Sequence, residues 1–244
     1  MGIFGRMKKE LRKAKQPKAS AVIVAAGSSR RMQGVDKICA DLGGSPVILR
    51  SIAAFEASPF IDEIIVVTRE DLIPVVGRLC ADFGMKKVRC VVKGGDNRVE
   101  SVQRGLMHIS REAELAAIHD GARPLVTPEV IERTVTLAAE TGAAIPAVPV
   151  KDTIKRVADG VICATPQRSE LFAAQTPQIF KADVLKAALT KAVEERLEIT
   201  DDASAVELLG MSVSIAEGDE CNIKITTQAD LILAEAILER GALE

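Results

Sequence analysis

From residue 20 onward, short runs of aliphatic and β-branched residues alternate with longer stretches whose apolar positions recur every three to four residues. The short runs, at 21–25, 63–68, 88–92, 115–119, 143–148 and 212–216, read as strands apolar on both faces, as a sheet covered by helices requires. The longer stretches, at 46–57, 71–83, 98–109, 128–141, 181–195, 201–209 and 228–240, carry the helical period. This alternation is the pattern of βαβ units and predicts an α/β fold on a mainly parallel sheet. Punctuation supports it at one helix: Thr127 precedes Pro128 and Glu129 as an N-cap, and Gly142 stands where a left-handed C-cap is expected.

The rhythm fails at 148–178, where Pro149, Pro166 and Pro177 interrupt any helical period. Short β-like runs at 153–157 and 161–164 predict an arm that leaves the sheet and covers a site or packs on a second subunit. Residues 19–244 therefore read as one domain with an arm at about 148–178. Before it stands a basic extension, 1–18, with Arg6, Lys8, Lys9, Arg12, Lys13, Lys15 and Lys18 against Glu10 alone. It is expected to be flexible and solvated. The alternative is an interfacial helix on anionic lipid, with Ile3, Phe4, Met7 and Leu11 on one face.

Composition removes several function classes. The chain has no Trp, no Tyr and six Phe, too few rings to build stacking platforms for single-stranded nucleic acid. A net charge of −2 gives no global basic field, so phosphate binding has to be local. Five cysteines, none in a C-x-x-C pair, suggest neither a disulfide framework nor a zinc site and fit a reducing cytoplasm. No apolar run is long enough to cross a bilayer and no signal-peptide core follows the first Met, so neither a membrane nor a nucleic acid is expected as a partner.

Three turns carry chemistry. The first strand runs into Ala25-Ala26-Gly27-Ser28-Ser29-Arg30-Arg31-Met32, with Lys37 soon after. Small residues let backbone N–H groups approach an anion that the cations neutralise, although such a turn is also compatible with solvated cations alone. It is neither the G-x-G-x-x-G fingerprint nor a P-loop. The second turn, Lys93 to Arg98, contains Gly94 and Gly95 and opens a helix that carries Ser101, with Asp96 or Asn97 as its cap. The third, His119-Asp120-Gly121-Ala122-Arg123-Pro124, ends a strand, where ligands dock on open α/β sheets. Asp120 there can hold Mg²⁺ and Arg123 can face a phosphate or ribose; an Asp120–Arg123 ion pair within the turn is the alternative. His108, late in a helix, and His119, as a hydrogen-bonded strand-end histidine, read as structural. Arg31, Lys37, Arg123, Arg168 and Lys224 leave a cationic chemistry. It suits nucleotidyl transfer to a phosphate acceptor, which needs no general base.

Taken in order, AVIVAAGSSRRM, GGDNRVESVQRGL, HDGARP, VKDTIKR, QTPQIF, ITDDASAVE and NIKIT, spread over about residues 20–240, resemble the 2-C-methyl-D-erythritol 4-phosphate cytidylyltransferase family. The resemblance implies a Rossmann-like, mostly parallel twisted sheet with helices on both faces and a protruding β-arm, of the nucleotide-diphospho-sugar transferase type. It implies a triphosphate loop at Ala25, Ala26 and Gly27 for CTP, with Arg31, Lys37 and Lys224 as catalytic cations. Gly95, Asp96 and Ser101 would read cytosine, Gly121 and Arg123 would hold the nucleotide, and Asp120 would position Mg²⁺. Thr153, Arg168, Thr176, Thr200 and Lys224 match acceptor-binding positions, and a homodimer with composite sites follows. A pentitol-phosphate cytidylyltransferase of the ribitol 5-phosphate type is the rival. A nicotinamide dehydrogenase lacks its glycine fingerprint here, and a non-catalytic nucleotide-binding module leaves the separated cations without a use. No histidine-rich segment follows Glu244, so the form fused to a cyclodiphosphate synthase is not expected.

Overall fold

The computed structural model describes residues 17–27 and 37–241. The reading of the basic extension therefore falls almost wholly outside the described residues, as do Arg30 and Arg31. The elements follow one another as β1 (Ala19–Ala25), α1 (Val47–Ala57), β2 (Glu63–Thr68), α2 (Ile73–Asp82), β3 (Val88–Lys93), α3 (Arg98–Leu106), β4 (Leu115–Asp120), α4 (Pro128–Thr141), β5 (Ala143–Pro149), β6 (Arg156–Ala158), β7 (Val161–Ala164), β8 (Phe172–Ala174), β9 (Gln178–Lys181), α5 (Ala182–Glu194), α6 (Asp202–Glu207), β10 (Ser214–Glu217) and α7 (Gln228–Gly241).

The sheet order is β10-β5-β9-β4-β1-β2-β3, with β8 added on β5. Pairs β1–β2, β1–β4, β2–β3 and β10–β5 are parallel, as the βαβ rhythm predicts. Two strands depart from that rhythm: β8 pairs antiparallel with β5, and β9 lies antiparallel between β4 and β5. The four residues of β9 sit between Pro177 and the start of α5, too short a run to show a period of its own. It is the return stroke of the arm, whose outer part is the β6–β7 hairpin.

Alternation along the central strands splits the core into two layers. Ala21 and Ile23 of β1 face Ile48, Ile52 and Phe55 of α1 and Val130 and Val135 of α4. Val22 faces Val102 and Leu106 of α3 and Leu185 and Leu189 of α5. A smaller cluster of Leu42, Val47, Leu125, Ile225 and Leu231 seats α7 beside the end of β4. The two-faced reading holds for the inner strands but not for β3 and β10, which lie at the sheet edges and are only partly covered. The helix expected at 98–109 ends at Leu106, so His108 stands beyond it, exposed. At α4 both expected caps form: the Thr127 hydroxyl accepts from the Val130 N–H, and Gly142 has φ +90°.

Helix α3 lies unusually close to the sheet. A Cβ on Gly105 would come within 2.3 Å of Val22 Cγ1 and 2.9 Å of Val67 Cγ2, so only glycine lets the helix approach β1 and β2 so closely. Gly105→Ala is expected to lower stability by about 1–3 kcal/mol through overpacking, read from the urea midpoint with the denaturant slope unchanged.

Candidate active site

Loops after β1, β3 and β4 meet at the carboxyl end of the sheet and enclose a cavity of about 400 Å³. The β1 turn supplies Ala25, Ala26 and Gly27, whose lack of bulk leaves backbone at the wall, and Lys37 adds a cation. The β3 turn packs against it at Gly94, where a Cβ would meet the Ala26 Cβ at 2.4 Å. That second turn is held by α3. The Gly95 N–H donates to Ser101 Oγ at 3.0 Å, and Ser101 Oγ donates to the Asn97 carbonyl at 2.8 Å. Asn97, the N-cap of α3, accepts from the Glu100 N–H, while the Glu100 carboxylate accepts from the Asp96 N–H. Gly95, Asp96 and Ser101 therefore present a fixed edge of backbone and small polar groups to the cavity.

At the end of β4 stands Asp120, 9% exposed and set between two cations. Lys224 Nζ lies 2.6 Å from Oδ2, and Arg98 Nε lies 3.5 Å from Oδ1. Burial by itself would raise the carboxyl pKa, but Lys224 and then Arg98 outweigh it and hold it down at about 2. The alternative Asp120–Arg123 ion pair does not form, because another segment takes its place. The Ile225 N–H donates to the Ala122 carbonyl at 2.8 Å, which lays residues 222–225 along the β4 turn and delivers Lys224 to Asp120. Arg123 instead clasps that segment, donating from Nη1 to the Asn222 carbonyl at 2.6 Å and from Nη2 to the Ala174 carbonyl at 3.5 Å. Asn222 Nδ2 in turn donates to the Thr176 carbonyl at 3.0 Å.

A strand-end carboxylate between cations, beside a small-residue loop, is an arrangement that can receive phosphate. The sequence matches the family described as "IspD: 2-C-methyl-D-erythritol 4-phosphate cytidylyltransferase" over residues 19–240. The chain belongs to that family. It is 47% identical over 221 residues to the 2-C-methyl-D-erythritol 4-phosphate cytidylyltransferase of Syntrophotalea carbinolica, covering 89% of this chain and 95% of that one. It is 44% identical over 220 residues to the enzyme of the same name from Halalkalibacterium halodurans, covering 90% and 96%. Among solved structures, the 4-diphosphocytidyl-2C-methyl-D-erythritol synthase of Anaerococcus prevotii superposes with a TM-score of 0.83 at 31% identity, covering 92% of this chain and 97% of that one.

Of the site residues expected from the sequence, Ala25, Ala26, Gly27, Lys37, Gly95, Asp96, Ser101, Asp120 and Lys224 all line this cavity. Arg31 lies outside the described residues. Gly121 and Arg123 do not line it. Gly121 is packed against Ile48 and Ala25, and Arg123 braces the Lys224 segment from behind. Thr176 is buried beneath the site. Thr153 and Arg168 are exposed on the arm, and Thr200 is exposed at the start of α6. Arg168 donates to the Lys151 carbonyl, and the Thr200 N–H donates to Ser204 Oγ. None of these last four is a wall of this cavity within one chain.

Arg98, which sequence reasoning passed over, does line it. One signal could have marked it: it is the first residue of α3, where a cation opposes the helix dipole. Its Nη2 reaches Asp202 Oδ2 at 2.7 Å. Asp202, buried at the first position of α6, was passed over as well.

His119 is the hydrogen-bonded strand-end histidine expected, fully buried against the Phe55 ring. A carbonyl can only accept, so Nε2 carries the proton to the Arg123 carbonyl at 3.1 Å, and Nδ1 accepts from the Thr176 hydroxyl at 3.0 Å. That hydroxyl accepts from the Asp120 N–H at 3.1 Å, so the histidine orients the backbone of the aspartate. Burial, opposed by Asp120, pushes the imidazole pKa down to about 4. The unfolded chain takes up this proton near pH 6.5, before the folded one, so the stabilisation is complete above that pH and is lost as pH falls toward 4. In metal-free buffer, stability is expected to fall by up to about 1.4 kcal/mol per pH unit across this window. In His119→Gln that component of the slope should vanish, as read by urea unfolding at stepped pH.

Proposed function

We propose that the chain transfers the cytidylyl group of CTP to 2-C-methyl-D-erythritol 4-phosphate, releasing pyrophosphate. The observation that carries this reading is Lys224, held on Asp120 at the wall of a cavity whose other walls are a small-residue loop and Lys37. The names of the relatives at 41–47% identity support it. In this reading an oxygen of the acceptor phosphate attacks the α-phosphorus of CTP. The bond from that phosphorus to the bridging oxygen breaks, and pyrophosphate leaves with the electron pair. A phosphate nucleophile is largely ionised near neutral pH, so the protein's task is to position two anions and to stabilise the added charge. Ala25–Gly27 and Lys37 receive the triphosphate, Gly95, Asp96 and Ser101 face the base, and Lys224 bridges the reacting groups.

Among the described residues no cluster of three or more His, Cys, Asp or Glu side chains could cage a metal. Mg²⁺ that arrives on a triphosphate needs no cage, since it takes one or two carboxylates and completes its shell with phosphate oxygens and water. Asp120 fits as that single protein ligand and would hold the ion, whose charge would offset that of the phosphates.

The arm supports the homodimer reading. Val157, Val161 and Ile162 are exposed on the β6–β7 hairpin, Val161 to 69%, and an apolar strand pair left open to water is a natural contact surface. A second subunit would bring Thr153 and Arg168 to a neighbour's acceptor site. Five free cysteines suit a cytoplasmic enzyme, and no described helix is long and apolar enough to cross a membrane.

The deciding assay is Mg²⁺-dependent pyrophosphate release from CTP with methylerythritol 4-phosphate or ribitol 5-phosphate as acceptor. Preference for the first is expected; preference for the second would keep the chemistry and change the substrate. Lys224→Met should lower kcat by about 10²–10³-fold in a chain that still unfolds in one cooperative transition. A kcat near that of the parent would remove Lys224 from the mechanism. Ile162→Asp should convert a dimer to a monomer in sedimentation and weaken acceptor binding, whereas an unchanged mass would place the dimer contact elsewhere.

A further inference from the structure

Under the cytidylyl-transfer reading, on which the role inferred for Arg98 rests, Lys224 has two demands on it. At rest its ammonium lies on Asp120 Oδ2, and in the reaction it turns to phosphate. If it were the sole protein partner, its departure would leave a carboxylate that is 9% exposed with no side chain to hold its orientation. Arg98 occupies the other oxygen, Oδ1, so the two cations do not compete for one atom.

The place of Arg98 has no explanation in fold stability. As the first residue of α3 it sits against the helix dipole. Its partner Asp202 is no cap either, because the capping box of α6 is made by Asp201 and Ser204. Asp202 is fully buried, and its Oδ1 has no hydrogen-bond partner among the described residues. Burying a carboxylate with one oxygen left unpaired, against a guanidinium that is 30% exposed, is a poor way to stabilise a fold. It is an effective way to fix a guanidinium, whose planar fork can address two carboxylates at once. The pair joins the first turns of α3 and α6 at the cavity wall.

The geometry points to Arg98 as a positioning residue for the transfer reaction. Anchored by Asp202, it holds the Asp120 carboxylate in place when Lys224 leaves it for the reacting phosphate. Arg98 itself makes no contact with the transferred group.

The test separates this role from a merely structural ion pair. Arg98→Gln alone leaves Asp202 buried and unpaired, so the decisive variant is the double substitution Arg98→Gln/Asp202→Asn, which removes both charges together. It is expected to unfold at a temperature close to that of the parent, with kcat lowered by about 30-fold and the KM for CTP within about threefold. Arg98→Lys keeps one charge but cannot span both carboxylates. It should show the same split between kcat and KM, and it serves if the double variant does not fold. A double variant with kcat within about twofold of the parent would show the pair to be structural only and overturn the proposal. So would a loss confined to the KM for CTP, which would make Arg98 a nucleotide contact. Silence of the parent protein with CTP and every acceptor would remove the cytidylyl-transfer reading itself, and this role with it.

Discussion

The structure turns on one buried carboxylate. Asp120 ends the central strand β4, shielded from water, and Lys224 and Arg98, which reach it from two separate parts of the chain, hold its pKa down against burial. Each cation has to be carried there. Arg98 arrives on the glycine turn after β3, and Lys224 arrives because the segment after β10 is sewn to β4 and to the residues before β9 through Arg123 and Asn222. A single charge thus draws two distant segments to the end of β4, and with the small-residue loop after β1 they wall the cavity.

The constraint also explains why so many polar groups near the site are turned inward. The Thr176 hydroxyl is spent on His119 and the Asp120 backbone, Ser101 on the glycine turn, and Gln178 on α6, where it donates to Asp201 and accepts from the Ala203 N–H. Polar networks satisfied in this way are rigid. A site that works by placing anions, with little covalent chemistry of its own, gains from rigidity more than from reactive side chains.

Much of this was legible in the sequence, because it rests on local rules. The parallel strands and their helices follow from hydrophobic period, the ends of α4 from Thr127 and Gly142, and the site's location from small residues after β1 and an aspartate at the end of β4. The ordered motifs identified the family; Lys224 stood out locally only as one more cation in a turn-like context, and its distance in sequence hides its meeting with the other walls. What stayed hidden was pairing at a distance. Nothing near Asp120 shows that its partners are Arg98 and Lys224 rather than Arg123, three residues away, and nothing in a four-residue run shows that β9 inserts antiparallel into the sheet. Roles drawn from resemblance need the same distinction. Arg123 and Thr176 are set one layer behind the cavity, bracing what lines it.

The antiparallel β9 has a consequence for how the chain can vary and how it completes itself. Strand β4 gains its second neighbour only after the chain has gone out through residues 150–177 and come back. The arm is thus a loop closed by the sheet, and closure entropy grows so slowly with loop length that doubling such a loop costs only about 0.6 kcal/mol. Its length and tip can drift between relatives while the strands at its base, and the carboxylate beside them, stay in register. During synthesis the order is reversed: the site cannot exist until the ribosome has released β9 and the segment bearing Lys224, well after most of its walls have been made.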